Sequence, residues 1–219
     1  FTLDGGNFKV KNGTITKNGK QEYIRCFNVE NGTLTIDGVT IKDFSCLKDD
    51  GAISIGSKGI CNMESGTISG NSADGRKGGG VYVDQGGTFN MNGGTISGNN
   101  VSSGYGGGVY VGQGGTFTMK GGTISNNQAQ SGGGVYVYGG IFNMGGSAEI
   151  TNNKVATEEN RPEGLSGGGV YVTNYGTFTM YGSAKITGNE VTGTKGRGGG
   201  VYVNSGTFKV SGTPTITDN

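Results

Sequence analysis

Residues 78–83 read Gly-Gly-Gly-Val-Tyr-Val, and the same six residues return at 106–111, 132–137, 167–172 and 198–203. A motif that recurs every ~20–50 residues indicates a repeat architecture, in which one unit cannot bury its hydrophobic face without a neighbour. We call this motif segment A and describe the rest of the chain relative to it.

Two further apolar segments follow each segment A at nearly constant spacing. Segment B carries an alternating pair: Phe89 and Met91, Phe117 and Met119, Phe142 and Met144, Phe178 and Met180, and Phe208 and Val210. Segment C has one Ile between polar residues: Ile96, Ile124, Ile150, Ile186 and Ile216. This alternation predicts strands with one buried face, and the Gly, Asn and Ser clusters between the segments predict turns.

The same grid extends back to the start of the chain. Segment A corresponds to residues 1–3, 27–29 and 53–55, segment B to Phe8 and Val10, Leu34 and Ile36, and Cys61 and Met63, and segment C to Ile15, Ile41 and Ile68. The eight units are spaced 26 to 35 residues apart, and the variation in length falls between C and the next A. The longest of these connections covers residues 152–166.

Three segments per unit predict an all-β fold, a parallel β-helix of about eight coils with three short strands each. Equivalent residues at fixed offsets can stack in columns ~4.8 Å apart if successive units run in the same direction. The whole chain, residues 1–219, then forms a single domain. A β-propeller is the alternative, although propeller blades usually have ~40–50 residues and four strands.

A column of asparagines supports this arrangement. Asn18, Asn71, Asn99, Asn127, Asn153, Asn189 and Asn219 each stand three residues after the Ile of segment C, and only Phe44 departs from the column. Asn tolerates the left-handed backbone that a tight turn requires, and stacked amides can hydrogen-bond from one coil to the next. We therefore predict an internal Asn ladder. Two positions further on lies a column of small apolar residues: Cys46, Ala73, Val101, Ala129, Val155 and Val191.

These motifs resemble those of known repeat proteins. The Asn column and the three-strand coils resemble right-handed parallel β-helices of the pectate-lyase type. Segment A and residues 89–92, Phe-Asn-Met-Asn, resemble the repeats of chlamydial polymorphic outer-membrane proteins, which pair Gly-Gly-Ala-(Ile/Leu/Val) with Phe-x-x-Asn. Similar repeats occur in adhesin-like surface proteins of gut bacteria and archaea. The resemblance implies a right-handed coil and an extracellular or cell-surface location. This chain departs from the pattern by usually having Gly in place of Ala, and its only complete Phe-x-x-Asn is at Phe89.

Composition argues against several classes of partner. Seventeen basic and sixteen acidic residues nearly cancel without a basic stripe, so we predict no nucleic-acid partner. No apolar run approaches the ~18 residues of a membrane span. Because the chain begins and ends inside the repeat pattern, we expect a fragment of a longer protein, in contact with that protein's neighbouring domains.

Metals and cofactors are not predicted. The chain has three Cys, no His and no Cys-x-x-Cys motif, which argues against a zinc site. Cys46 and Cys61 occupy apolar columns, and Cys26 directly precedes a segment A. We expect free buried thiols; a disulfide between Cys26 and Cys46 is the alternative.

The candidate binding face is a row of tyrosines. If both Val residues of segment A point inward, the Tyr between them points outward on five successive coils: Tyr82, Tyr110, Tyr136, Tyr171 and Tyr202. Exposed aromatic rings can stack on sugars or anchor a protein. The variable connections, which carry Tyr105, Glu158 and Arg161, would rim the row. We expect the change Tyr136→Ser to be tolerated, because an outward residue leaves no cavity. The alternative is that the rings only stack on one another and shield the Gly triplets.

Asp37 and Glu64 are the candidates for catalysis. Both stand three residues after the first core position of segment B on adjacent coils, and Lys11 lies one coil earlier. Two carboxylates ~5 Å apart could cleave a glycosidic bond or hold a cation. The column continues with Asn92 and Lys120, so solvated turn charges are the simpler interpretation.

We therefore predict a non-catalytic repeat domain of an extracellular or cell-surface, adhesin-like protein. It would present a binding face for a glycan or a host surface protein, or serve as a stalk. A polysaccharide lyase or glycoside hydrolase of the β-helix type is the first alternative, and a pure spacer is the second. We expect no cofactor and no membrane insertion by these residues.

Overall fold

A computed structural model describes residues 1–17, 24–46, 51–74, 77–155, 166–192 and 196–219. These residues form 24 strands, and no helix occurs among them.

The strands follow the predicted segments. Three long strands join segments within one unit: β1 (Thr2–Thr16) and β2 (Phe27–Lys42) run through A, B and C, and β4 (Ile53–Met63) runs through A and B. In later units segment A forms β7 (Val81–Val83), β10 (Val109–Val111), β14 (Val135–Tyr138), β18 (Val170–Thr173) and β22 (Val201–Asn204). Segment B forms β8 (Thr88–Met91), β11 (Thr116–Met119), β15 (Ile141–Met144), β19 (Thr177–Gly182) and β23 (Thr207–Gly212). Segment C forms β5 (Gly66–Ser69), β9 (Thr95–Ser97), β12 (Thr123–Ser125), β16 (Glu149–Thr151), β20 (Lys185–Thr187) and β24 (Thr215–Thr217).

Strands pair in parallel between successive units, with equivalent residues opposite each other. Val109 pairs with Val81 on one side and with Val135 on the other. Ile124 pairs in the same way with its equivalents one coil before and one coil after. The parallel β-helix is therefore confirmed. The propeller alternative is wrong, because each segment pairs with the next unit and not within its own.

Columns of like side chains fill the core. The rings of the segment B phenylalanines stack with centroids 4.7 to 4.9 Å apart, from Phe89 to Phe208. This separation matches the ~4.8 Å between neighbouring strands, so each ring packs directly against its equivalent in the next coil. Ile124 is fully buried, as predicted.

The Asn ladder is also confirmed, from Asn71 to Asn219, while Asn18 lies outside the described residues. Oδ1 of Asn127 accepts hydrogen bonds from the backbone N and from Nδ2 of Asn99, at 3.0 and 2.9 Å. Nδ2 of Asn127 donates to the carbonyl of Ile96 at 3.0 Å and to Oδ1 of Asn153 at 2.9 Å. Asn127 therefore links its own coil to both neighbouring coils.

The left-handed turn lies one residue before the ladder. Asn126 and Asn152, which directly precede Asn127 and Asn153, have φ angles of 54° and 55°. The expectation that the ladder residue itself adopts this backbone is therefore wrong. The ladder side chain holds the turn by hydrogen bonding, while its neighbour supplies the left-handed conformation, which Asn adopts more readily than most residues.

The glycine before the first Val of segment A makes room for the ladder. A β-carbon on Gly108 would lie 2.7 Å from the carbonyl oxygen of Gly134, 2.9 Å from Cγ2 of Ile124 and 3.1 Å from Nδ2 of Asn127. In the second coil, where Phe44 replaces the ladder Asn, register places Cys26 at the glycine position. Both of these larger residues are buried, whereas the third coil keeps the ladder Asn71 and has the small Ala52 at the glycine position.

The column of small residues adds a fourth line of pairing. It forms β3 (Ser45–Cys46), β6 (Ser72–Ala73), β13 (Gln128–Ala129), β17 (Lys154–Val155) and β21 (Glu190–Val191), which also pair in parallel. The prediction of three strands per coil missed these short strands, because two residues are too few to show a periodicity.

The three cysteines are free and buried, as expected, and the disulfide alternative is wrong. Burial raises the pKa of Cys26 and of Cys61 to about 12. Their thiols are therefore protonated at neutral pH.

Candidate functional site

The tyrosine row is continuous along the outer side of segment A. Ring centroids of successive tyrosines from Tyr82 to Tyr202 lie 5.5, 5.4, 4.9 and 5.3 Å apart. The strand register places the five residues opposite one another. The prediction that they share one face is confirmed.

The expectation that this row is exposed is wrong for its middle. Tyr110, Tyr136 and Tyr171 keep only 4%, 6% and 9% of their accessible surface. The first glycine of each triplet brings the backbone against the rings: Gly132 has a φ of +61°, and a β-carbon there would lie 2.8 Å from Cβ of Tyr136. The tyrosines form a second hydrophobic cluster outside the main core, as the stacking alternative anticipated.

Side chains that precede the Gly triplets lie across the tyrosines. The Tyr105 ring stacks on Tyr136 with centroids 4.7 Å apart. Nζ of Lys77 lies 5.6 Å from the centroid of the Tyr110 ring. Nη1 of Arg197 donates to the hydroxyl of Tyr202 at 3.2 Å. The connections between C and A therefore cover the row instead of only rimming it.

Burial changes the chemistry of the row. Burial raises the pKa of Tyr136 far above its ordinary value, and the neighbouring tyrosines add a smaller contribution in the same direction. Its phenol therefore stays neutral and is not a base. Tyr105 is exposed on this face, whereas Glu158 and Arg161 lie outside the described residues. A binding role for this face stays a prediction.

Asp37 and Glu64 each have their own polar partners. Asp37 Oδ2 lies 3.2 Å from Nζ of Lys9, and Asp37 Oδ1 accepts a hydrogen bond from the Ser65 hydroxyl at 3.0 Å. These two contacts, that with Lys9 first, lower the pKa of Asp37. Both oxygens of Glu64 accept from Nδ2 of Asn92, at 3.1 and 3.2 Å. Glycoside cleavage needs one carboxylic acid as proton donor and one ionised carboxylate, so the lowered pKa of Asp37 argues against Asp37 as the proton donor.

Three tyrosines that the sequence interpretation missed lie outside the row. Tyr175 is 87% exposed and Tyr138 is 40% exposed, both at the turn between segments A and B. Tyr181 lies with its ring across the backbone of Gly145, where any side chain would overlap it. The available signal was a break in the repeat: Tyr175 stands where the fourth and fifth coils have Gly86 and Gly114.

Among the described residues, no group of three His, Cys, Asp or Glu side chains is arranged to hold a metal ion. Nor does that part of the chain include a helix long and apolar enough to cross a membrane.

Comparison with known proteins identifies the family. Neither a curated protein nor a solved structure matched the chain. The family model described as "Right handed beta helix region" matches residues 1–219. Because the match covers every residue and the strands pair as a parallel coil, this protein belongs to the right-handed β-helix family.

Proposed function

We propose that this chain is a non-catalytic display domain of an extracellular or cell-surface, adhesin-like protein. It holds a surface for glycans or host proteins on a rigid stack, next to the neighbouring domains of its parent protein.

The observation that supports this proposal is the contrast between core and connections. The Phe, Ile and Asn columns continue across coils whose lengths differ by up to nine residues, 26 against 35. The connections that differ carry Lys77, Tyr105 and Arg197, which all lie against the tyrosine row. A uniform scaffold with variable segments on one side is the arrangement that binding proteins commonly use.

The contacts of Asp37 argue against its acting as the general acid of the enzyme alternative. The ionised Asp37 is held between Lys9 and Ser65, and its contacts leave it without the raised pKa of a general acid.

The test is a panel of glycans and host-cell surfaces read for binding and for cleavage of each glycan. Binding without cleavage supports the proposal. New reducing ends would establish the enzyme alternative, and neither binding nor cleavage would identify a spacer.

A further inference from the structure

The turns between segments A and B form an uncharged surface on the later coils. These turns are residues 112–115, 138–140, 173–176 and 204–206, which we call the A–B corner. They contain Gly, Gln, Asn, Ser, Thr and Tyr, and none of Asp, Glu, Lys or Arg. On the fourth coil, the equivalent turn begins with Asp84, so the uncharged corner starts one coil later.

Tyr175 adopts a backbone conformation that is unfavourable for an aromatic residue. Eight non-glycine residues of the described chain have positive φ; six are Asn or Asp, and the other two are Ser205 and Tyr175. Asn174 and Tyr175, with φ of 52° and 63°, are the central pair of a turn closed by a 2.9 Å hydrogen bond from Gly176 N to the Thr173 carbonyl. Gly, Asn and Asp dominate turns with two positive φ angles. Equivalent turns place Gly86 and Gly114 at this point.

The unfavourable backbone conformation of Tyr175 is not accompanied by burial of its ring. Non-glycine residues held in sparsely populated regions cluster at ligand-binding sites. Since the Tyr175 ring is 87% exposed, packing within the coil does not explain its presence. A ligand outside the coil would explain it.

A second ring and two amides surround this position. Tyr138 pairs in register with Thr173, two residues before Tyr175, and its ring is also exposed. Gly139 directly follows Tyr138, and a β-carbon on Gly139 would lie 3.0 Å from Nδ2 of Asn174 and 3.2 Å from Cγ of Gln113. The corner of the fifth to seventh coils therefore carries two aromatic rings with carboxamides from the coils on either side of Gly139.

We infer that this corner binds a neutral oligosaccharide, with Tyr138 and Tyr175 against sugar rings and Gln113 and Asn174 hydrogen-bonded to hydroxyls. Aromatic faces cover the apolar C–H face of a sugar, and carboxamides both donate and accept, as hydroxyl groups require. The lack of charge on the corner matches a neutral chain and gives an acidic polysaccharide no cation to pair with. The inference rests on the proposed binding function, names a ligand class for it, and places that ligand at the A–B corner instead of on the connections that cover the tyrosine row.

The test uses an array of neutral oligosaccharides of glucose, mannose, galactose, xylose and N-acetylglucosamine, with polygalacturonate and heparin as acidic probes. The variants are Tyr175→Gly, Tyr138→Ser and the two together. Glycine fits a positive φ, so Tyr175→Gly should melt at the same temperature as the parent or higher. The matched control is Ile60→Ser, which removes an exposed apolar side chain on the third coil.

We expect the parent to bind a neutral oligosaccharide and the double variant to lose at least about fivefold in affinity, while the control keeps it. Full affinity in the folded double variant would overturn this site and leave the proposed binding function standing. Binding only to acidic probes, or only to a host protein, would overturn the ligand class. Binding to no glycan and no host surface would overturn both the inference and the proposed function.

Discussion

Replacing Asn127 by Ala should reveal how much the ladder contributes to stability. The amide makes four hydrogen bonds, two as acceptor from Asn99 and two as donor, to Ile96 and Asn153. It is fully buried, so water does not replace these bonds in the folded chain. The change leaves the backbone and the preceding left-handed turn in place.

The expected loss of stability depends on which partners of Asn127 still have another hydrogen bond after the change. Nδ2 of Asn99 still donates to the carbonyl of Ile68, and Oδ1 of Asn153 still accepts from the backbone N of residue 127. The backbone N of Asn99 loses the partner that Asn127 provides. The carbonyl of Ile96 also loses the bond from Nδ2, but Ile96 belongs to a strand paired in register with the next coil. A buried group left unpaired costs ~1–3 kcal/mol, so we expect the change to lower the free energy of unfolding by about 1–3 kcal/mol.

Urea unfolding followed by far-UV circular dichroism and tyrosine fluorescence measures this loss. The matched control is Asn126→Gly at the neighbouring exposed position, whose φ of 54° suits glycine. We expect the control to stay within ~0.5 kcal/mol of the parent. A loss below ~0.5 kcal/mol for Asn127→Ala, or a loss equal to that of the control, would refute a stabilising ladder.

Four further changes test the other columns. Ile124→Ala should lower the free energy of unfolding by ~2–5 kcal/mol, because it opens a cavity in a fully buried column. Gly108→Ala should lower it by ~1–3 kcal/mol through overpacking against the ladder. Tyr136→Ser should now destabilise by ~3–5 kcal/mol, as for other buried aromatic side chains. Between pH 9.0 and about 12 the free energy of unfolding should fall, because the buried thiols of Cys61 and Cys26 ionise only after unfolding. The variant Cys61→Val should reduce that slope and leave the contribution of Cys26.

The sign of the pH effect follows from the raised pKa. Below pH 9.0 the thiol is protonated in both states, and between 9.0 and about 12 only the unfolded chain loses the proton. Urea titrations at a series of pH values measure the slope, and an unchanged slope in Cys61→Val would contradict the assignment. Ile124→Ala or Gly108→Ala at parental stability would show that the columns are not packed as described. Tyr136→Ser at parental stability would restore the exposed-row hypothesis.

The columns of the coil could be predicted from sequence because each one repeats. The Ile of segment C recurs at a fixed offset in all eight units and the Phe of segment B in six of them, and only parallel stacking places such residues in contact with their equivalents. The ladder was predictable in the same way, since Asn127 has an equivalent in the coils on both sides. The alternation of inward Val and outward Tyr likewise follows from the two-residue period of a strand.

Tertiary packing alone decided which outward residues are exposed. The period of a strand gives the direction of Tyr136 but does not show that the connection carrying Tyr105 and the close backbone of Gly132 cover its ring. In the same way, spacing placed Asp37 beside Glu64, but only the structure shows the contacts with Lys9 and Ser65 that lower its pKa. Tyr175 breaks the repeat at the position of Gly86 and Gly114, but its left-handed backbone and its exposure are visible only in the structure. Repetition in the sequence therefore determined the core, whereas the surface depended on contacts between residues that do not repeat.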